Sequence, residues 1–485
     1  MKHLLLTAAL LLAPIPAIAK DGLQQQVETV LAQAGPGTRW GVVVSDEHGT
    51  EIVTIDPEGR YMPASNTKLF TTAAAFWKLG LQSLEESDQA GRASAYVLKR
   101  TKLPPDVVLV GRGDARLSSA PDCQVDCLAV LADQVAARTR KVSAVSGDDS
   151  EFVDERWSPG MSWNNISTRS GTGISALSLD NNEAVVTVTP GKTPETQPQV
   201  VLPGYFKLIN MALTGEAITS LRIERMPGSR EVTLWGMIAA KSPPQTLVMG
   251  IDDPADYATW RFAEMLRKRG VRISGRVGKA LPQWKQSAGE AAEIAVAKAV
   301  EAVKELDPAL LAPPLIENMS IINKQSQNLH AELLLRRLGA HENPEGSIET
   351  GQKVITAMLT EAGLKPHQYF FADGSGMSTY NRVAPRGVVS FLRWTQAQPW
   401  GAKFRATLPI GGIDGTLANR FKGTSLEGRI TAKTGTINAT HALAGFFTTK
   451  SGRTLTFAAY ANDVPEGIAA TRLVDQALVL MAEAM

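Results

Sequence analysis

Four hundred and eighty-five residues exceed one compact core and point to two or three domains. Apolar residues at 44%, charged residues at 20% and a formal charge of +2 exclude a disordered chain and give no electrostatic case for a nucleic-acid or anionic-membrane partner. Two cysteines cannot build a disulfide scaffold or a Cys-based structural zinc site.

The chain begins with a short basic start at Lys2 and His3, then the apolar run Leu4 to Ala13. At about ten residues this run is too short for a bilayer, which needs about 20. Ala17-Ile18-Ala19 follows as the small-x-small pattern of a cleaved leader, so residues 1–19 read as a signal peptide removed before Lys20. The mature protein is expected in the periplasm. Export would allow Cys123 and Cys127 to bridge as a local staple.

Trp40 to Ile55 alternates apolar and polar residues around Asp46-Glu47-His48-Gly49, the pattern of a β-hairpin. Residues 65–79 are rich in Ala and Leu and predict a helix stopped by Gly80. Strands are expected at 106–111 and 142–147, with an amphipathic helix from Leu128 to Arg138 between them. Short strands at 185–189, 199–202, 220–223 and 231–235 lie among Pro and Gly turns. A helix at 254–269 and a strand at 271–278 restore an α/β rhythm, and the Ala/Glu/Lys-rich tract 288–306 reads as a surface helix or semi-rigid linker. From 315 onward helices alternate with strands, ending in strands at 428–437, 442–449 and 454–461 and a helix from about 467.

Three short motifs carry chemistry. Ser65-Asn66-Thr67-Lys68 at a helix start places serine and lysine one turn apart on the same face. Such a lysine can take the serine proton if burial or a nearby cation lowers its pKa. Ser326-Gln327-Asn328 precedes the helix His330 to Leu338. Lys433-Thr434-Gly435-Thr436 enters an expected sheet-edge strand, where a cation and two hydroxyls suit a carboxylate and Gly435 permits close backbone approach. Each motif alone is commonly a capping serine or a turn. In this order they form the signature set of serine penicillin-recognising enzymes.

On these motifs the sequence resembles the class C low-molecular-mass penicillin-binding proteins, D-alanyl-D-alanine carboxypeptidase/endopeptidases of the penicillin-binding protein 4 type. Pro63-Ala-Ser-Asn-Thr-Lys-Leu-Phe, Asp373-Gly-Ser-Gly-Met-Ser, Asn381-Arg-Val-Ala-Pro and Leu408-Pro-Ile-Gly-Gly-Ile-Asp-Gly-Thr-Leu are similar to further blocks of that family. So is the long interval between Ser65 and Ser326, which matches its double insertion. The resemblance implies an α+β, multi-domain fold. A transpeptidase-like catalytic domain (20–85 and 300–485) would hold an antiparallel sheet flanked by helices. An α+β module (86–190 and 252–299) and a nested β-rich module (191–251) would interrupt it.

It also implies that Ser65 is the acylated nucleophile and Lys68 its base. Ser326 would relay the proton to the departing D-alanine, and Asn328 would orient Lys68. Lys433, Thr434 and Thr436 would bind the substrate carboxylate, with the backbone N–H groups of Ser65 and Thr436 as the oxyanion hole. Peptidoglycan peptides are the implied partners, β-lactams the covalent inhibitors, and no metal or cofactor is expected. Oligomeric state and the choice between carboxypeptidase and endopeptidase action stay open. Gln327 stands where many relatives carry Asp, and Asn165 where some carry an acidic residue that meets the amine of the cell-wall peptide. His330 and His441 read as core or surface residues. A β-lactamase or esterase on the same site, or a non-catalytic wall-binding protein, would be the rival functions.

Overall fold

A computed structural model describes residues 17–100, 102–279, 313–342 and 346–485. The segment expected to be a leader, residues 1–19, lies outside them except for Ala17–Ala19, which open the helix Ala17–Ala32, and the tract 288–306 lies outside them entirely. No helix among the described residues is long and apolar enough to cross a membrane.

The central sheet joins the two ends of the chain. Its five strands run in the order Ile430–Ile437, Thr440–Thr448, Thr454–Asn462, Arg39–Ser45 and Glu51–Ile55, each antiparallel to its neighbour. Strand alternation splits the apolar residues between two cores. Val42, Val44, Leu443 and Phe457 pack on one face with Leu23, Val27 and Leu31 of the N-terminal helix and Leu478 of the helix Ala470–Ala484. Val43, Ala444, Phe446 and Ala458 face the helix Thr67–Glu85, which is enclosed by the helices Leu315–Lys324, Asn328–Glu342, Ile348–Glu361 and Pro385–Ala397.

Gly80 breaks the helix that begins at Thr67, as its sequence position led one to expect. It takes a left-handed conformation (φ 76°) and the chain then resumes as far as Glu85. Leu84 is fully buried and Leu81 packs on the same core, so burial draws the extra turn inward.

The polypeptide between residues 94 and 279 forms a separate body with one continuous core. A four-stranded sheet runs Val277–Lys279, Val145–Asp148, Leu103–Val110, Ser94–Arg100, and the helices Leu128–Arg138 and Pro254–Lys268 pack beside it. The strand expected at 142–147 is divided into Lys141–Val142 and Val145–Asp148, which pair with different partners, Arg272–Ile273 and Val277–Lys279. Glu183–Thr189 pairs with Gln199–Val201 and Gln245–Gly250, so this strand belongs with the β-rich sheets although it precedes the boundary read at 191. Leu179, Val186, Val232 and Leu234 share one cluster with Leu109 and Phe262, so the α+β and β-rich parts are packed together. Cys123 and Cys127 are bridged at the start of the helix Leu128–Arg138.

Candidate active site

Ser65 sits in a short 3-10 turn, Ala64–Asn66, that leads into the helix from Thr67. Asn66 is buried, and its side-chain N–H donates to the carbonyl of Lys433 at 2.7 Å, tying this turn to the edge strand. Leu69, Phe70, Ala73 and Ala74 are fully buried and hold the helix rigidly beneath it. Lys68 is also fully buried, and its Nζ lies 2.9 Å from Ser65 Oγ, 2.7 Å from Asn328 Oδ1 and 2.6 Å from the Ser375 carbonyl.

Two of those three neighbouring atoms, Asn328 Oδ1 and the Ser375 carbonyl, can only accept a hydrogen bond. Asn328 donates its Nδ2–H to the carbonyl of Ser170 at 3.1 Å, which leaves its Oδ1 facing Lys68. A neutral lysine amine would direct two N–H bonds at Asn328 and Ser375 and its lone pair at Ser65. Burial brings the Lys68 pKa down to about 7, against the opposing pull of the carboxylates of Asp373 and Glu332. A substantial neutral fraction therefore exists near neutral pH, as a general base requires.

The other two motifs close around this pair. Ser326 lies between the helices Leu315–Lys324 and Asn328–Glu342 in a left-handed conformation (φ 60°), an uncommon one for a non-glycine residue. Its Oγ accepts from Lys433 Nζ at 2.9 Å, and the same Nζ donates to the Thr434 carbonyl at 3.0 Å. Lys433 is fully buried, and desolvation together with the nearby Lys68 charge pushes its pKa well below the usual lysine value. Lys433 and Gly435 are buried, while Thr434 and Thr436 emerge on the opposite side of the strand. The close approach at Gly435 is to the protein's own turn: a Cβ there would come within 2.6 Å of the Pro63 carbonyl.

A cleft of about 390 Å³ opens over these groups, lined in part by Ser65, Ser326, Thr416, Thr434, Thr436 and His441. Thr434 Oγ1 donates to Thr416 Oγ1 at 2.8 Å. Ser65, Lys68 and Asn328 thus form one hydrogen-bonded set and Ser326 and Lys433 a second, and Ser65, Ser326, Thr434, Gly435 and Thr436 line the same cleft. Asn165 stands apart from those groups, partly buried at the end of the turn Trp163–Asn165. Its loop nevertheless reaches the site. The Asn165 carbonyl accepts from Thr168 N at 2.9 Å, Ser170 contacts Asn328, and the Pro159 carbonyl accepts from Ser378 Oγ at 2.6 Å.

Of the two histidines, His330 is buried between Asn318 and Asn181, and burial lowers its pKa to about 3. His441 is not a core residue: it is half-buried in the cleft wall opposite Thr436 in the sheet. Sequence reasoning also passed over Ser375, Glu332, Asp373 and Thr416. The Asp373-Gly-Ser-Gly block was a visible signal for two of them, whereas Glu332 offered none beyond its place one turn after Asn328.

Sheet, buried helix and a serine–lysine–asparagine cluster together define a serine acyl-transfer hydrolase in which lysine stands where other serine hydrolases use histidine. The D-Ala-D-Ala carboxypeptidase 3 (S13) family matches residues 23–485, and the chain belongs to that family. It is 32% identical over 467 residues to a D-alanyl-D-alanine carboxypeptidase of Actinomadura sp. (strain R39), covering 90% of this chain and 81% of that protein. It is 23% identical to D-alanyl-D-alanine carboxypeptidase DacB of Haemophilus influenzae, over 89% of this chain and 87% of that one. The crystal structure of penicillin binding protein 4 from Haemophilus influenzae has the same fold, with a TM-score of 0.75 at 22% identity, covering 93% of this chain and 98% of that one. A second structure of it, complexed with a β-lactam, gives a TM-score of 0.69.

Proposed function

We propose that this enzyme hydrolyses the terminal D-alanyl-D-alanine bond of peptidoglycan peptides through an acyl-enzyme on Ser65. The observation that carries the reading is the buried Lys68 amine, held by two carbonyl acceptors with Ser65 Oγ as its third neighbour at 2.9 Å. Ser65 Oγ attacks the carbonyl carbon of the penultimate D-alanine as its proton passes to Lys68. The tetrahedral oxyanion forms against the N–H groups of Ser65 and Thr436. Ser326 then carries a proton to the nitrogen of the departing D-alanine, the C–N bond breaks, and water cleaves the ester to restore Ser65.

The substrate carboxylate lies along Lys433, Thr434 and Thr436, and the loop bearing Asn165 receives the amine end of the peptide. β-Lactams enter by the same acylation, as expected of mimics of the D-alanyl-D-alanine terminus. The β-lactam complex of the Haemophilus influenzae relative supports that reading. The enzyme works in the periplasm after its leader is cut before Lys20, and its catalytic domain comprises 20–85 and 300–485. Peptide cross-links, whose scissile bond is the same kind of amide, are further substrates. Purified monomeric and cross-linked muropeptides, digested and weighed by mass spectrometry, test the reading. Loss of one D-alanine from pentapeptides is expected. Unchanged pentapeptides in the presence of a penicillin-reactive enzyme would overturn it.

A further inference from the structure

Behind Lys68 lies a second layer of buried charge. Glu332 follows Asn328 by one turn of the helix Asn328–Glu342, so both project toward the same side. Asn328 reaches Lys68 directly. Glu332 reaches the loop that supplies the third neighbour of Lys68: its Oε1 accepts from Gly374 N at 3.0 Å and from Ser375 N at 2.8 Å. One peptide further on, the Ser375 carbonyl takes its bond from Lys68 at 2.6 Å. Glu332 is itself paired with Arg336, Oε2 to Nη1 at 2.8 Å, with side-chain exposures of 5% and 1%. Arg336 in turn donates to the carbonyl of Glu155 at 3.0 Å.

We propose that Glu332 is a positioning residue for acylation: it fixes the Gly374–Ser375 peptide so that the Ser375 carbonyl claims one Lys68 proton, and it sets a buried negative charge behind that carbonyl. This rests on the assignment of Lys68 as the base. A carboxylate is well suited to the task because one oxygen accepts both amides while the other remains neutralised by Arg336. Asp373 shapes the same loop from its other end, accepting from Gly376 N at 2.9 Å, Ser378 N at 2.6 Å and Asn381 Nδ2 at 2.6 Å. The charged groups facing Lys68 are therefore Glu332 from its helix, with Arg336 behind it, Asp373 from the loop and Lys433 from the edge strand.

The electrostatics give the test its sign. Removing the Glu332 charge destabilises the Lys68 ammonium, whereas removing Arg336 leaves Glu332 unneutralised and stabilises it. The experiment measures the second-order rate of acylation by a labelled penicillin against pH, with folded enzyme quantified by circular dichroism. Glu332→Gln keeps an oxygen for the two amides, and its acidic limb should move down by about one pH unit. Arg336→Met should move the limb up. Glu332→Gln/Arg336→Met, which leaves no lone buried charge, should still lie below the parent and reads the effect if either single variant fails to fold. Slower acylation with the limb unmoved in the folded variants would reduce Glu332 to a structural residue and overturn the proposal. Failure of the parent enzyme to acylate Ser65 would instead defeat the assignment of Lys68 on which it rests.

Discussion

Lys433 is more deeply set than a carboxylate-reading lysine on an open strand. Its Nζ is held by Ser326 and by its own strand, so the hydroxyls of Thr434 and Thr436 present the outer polar surface. An arriving carboxylate favours the protonated form of Lys433, opposing the desolvation and the Lys68 charge that depress its pKa. Lys433→Ala should therefore cost about 1.5–3 kcal/mol in kcat/KM on substrates with a free carboxylate. The loss should be smaller on the corresponding amides; equal losses would place Lys433 in the proton relay through Ser326 instead. At Asn165 the expected effect has the opposite sign. Asn165→Asp adds a charge-assisted bond to a substrate ammonium at a partly exposed position, worth about 1 kcal/mol or roughly fivefold in kcat/KM. Peptides with a free side-chain amine should gain, acetylated ones should not, and high salt should erase the difference. A gain common to both peptides would remove Asn165 from amine recognition.

At the scale of elements, the loop Asp373–Ser378 is the part whose geometry matters most for its length. Gly376 takes φ 89°, and a Cβ there would overlap the Ala64 carbonyl beside the nucleophile. Gly376→Ala should thus cost about 1–3 kcal/mol in backbone strain alone and slow acylation of the folded fraction more than tenfold, measured by thermal unfolding and penicillin labelling. Undiminished acylation would show that the loop can shift without disturbing Lys68. The chemistry of the site was legible in the sequence because the three motifs bring their own residues in a recognisable order. The helix Leu128–Arg138 and the hairpin closing at Glu51–Ile55 were legible from period and turn chemistry. The roles of Glu332 and Ser375 were not, because an internal carboxylate and a backbone carbonyl acquire meaning only when distant segments are packed together. The short turn after Gly80 and the partners of the strand Glu183–Thr189 were hidden for a related reason: burial of Leu84 and pairing with Gln245–Gly250 are settled by segments far along the chain.

In the molecule as a whole, the body formed by residues 94–279 is clasped to the part that carries Ser65 and Lys68. Asn328 meets Ser170, His330 meets Asn181 and Arg336 meets Glu155, all from the helix Asn328–Glu342. That body therefore helps to set the orientation of Asn328, and through it the direction of the Lys68 lone pair. Everything converges on a lysine that deprotonates near neutrality and faces one serine. The most direct test is peptide mapping by mass spectrometry after exposure to a penicillin, with the rate of labelling followed against pH. One adduct is expected, on the peptide containing Ser65, absent in Ser65→Ala. Its rate should rise about tenfold per pH unit below about 7 and level off above, as the neutral fraction of Lys68 does. An adduct on another serine, or a labelling rate indifferent to pH across that range, would contradict the account.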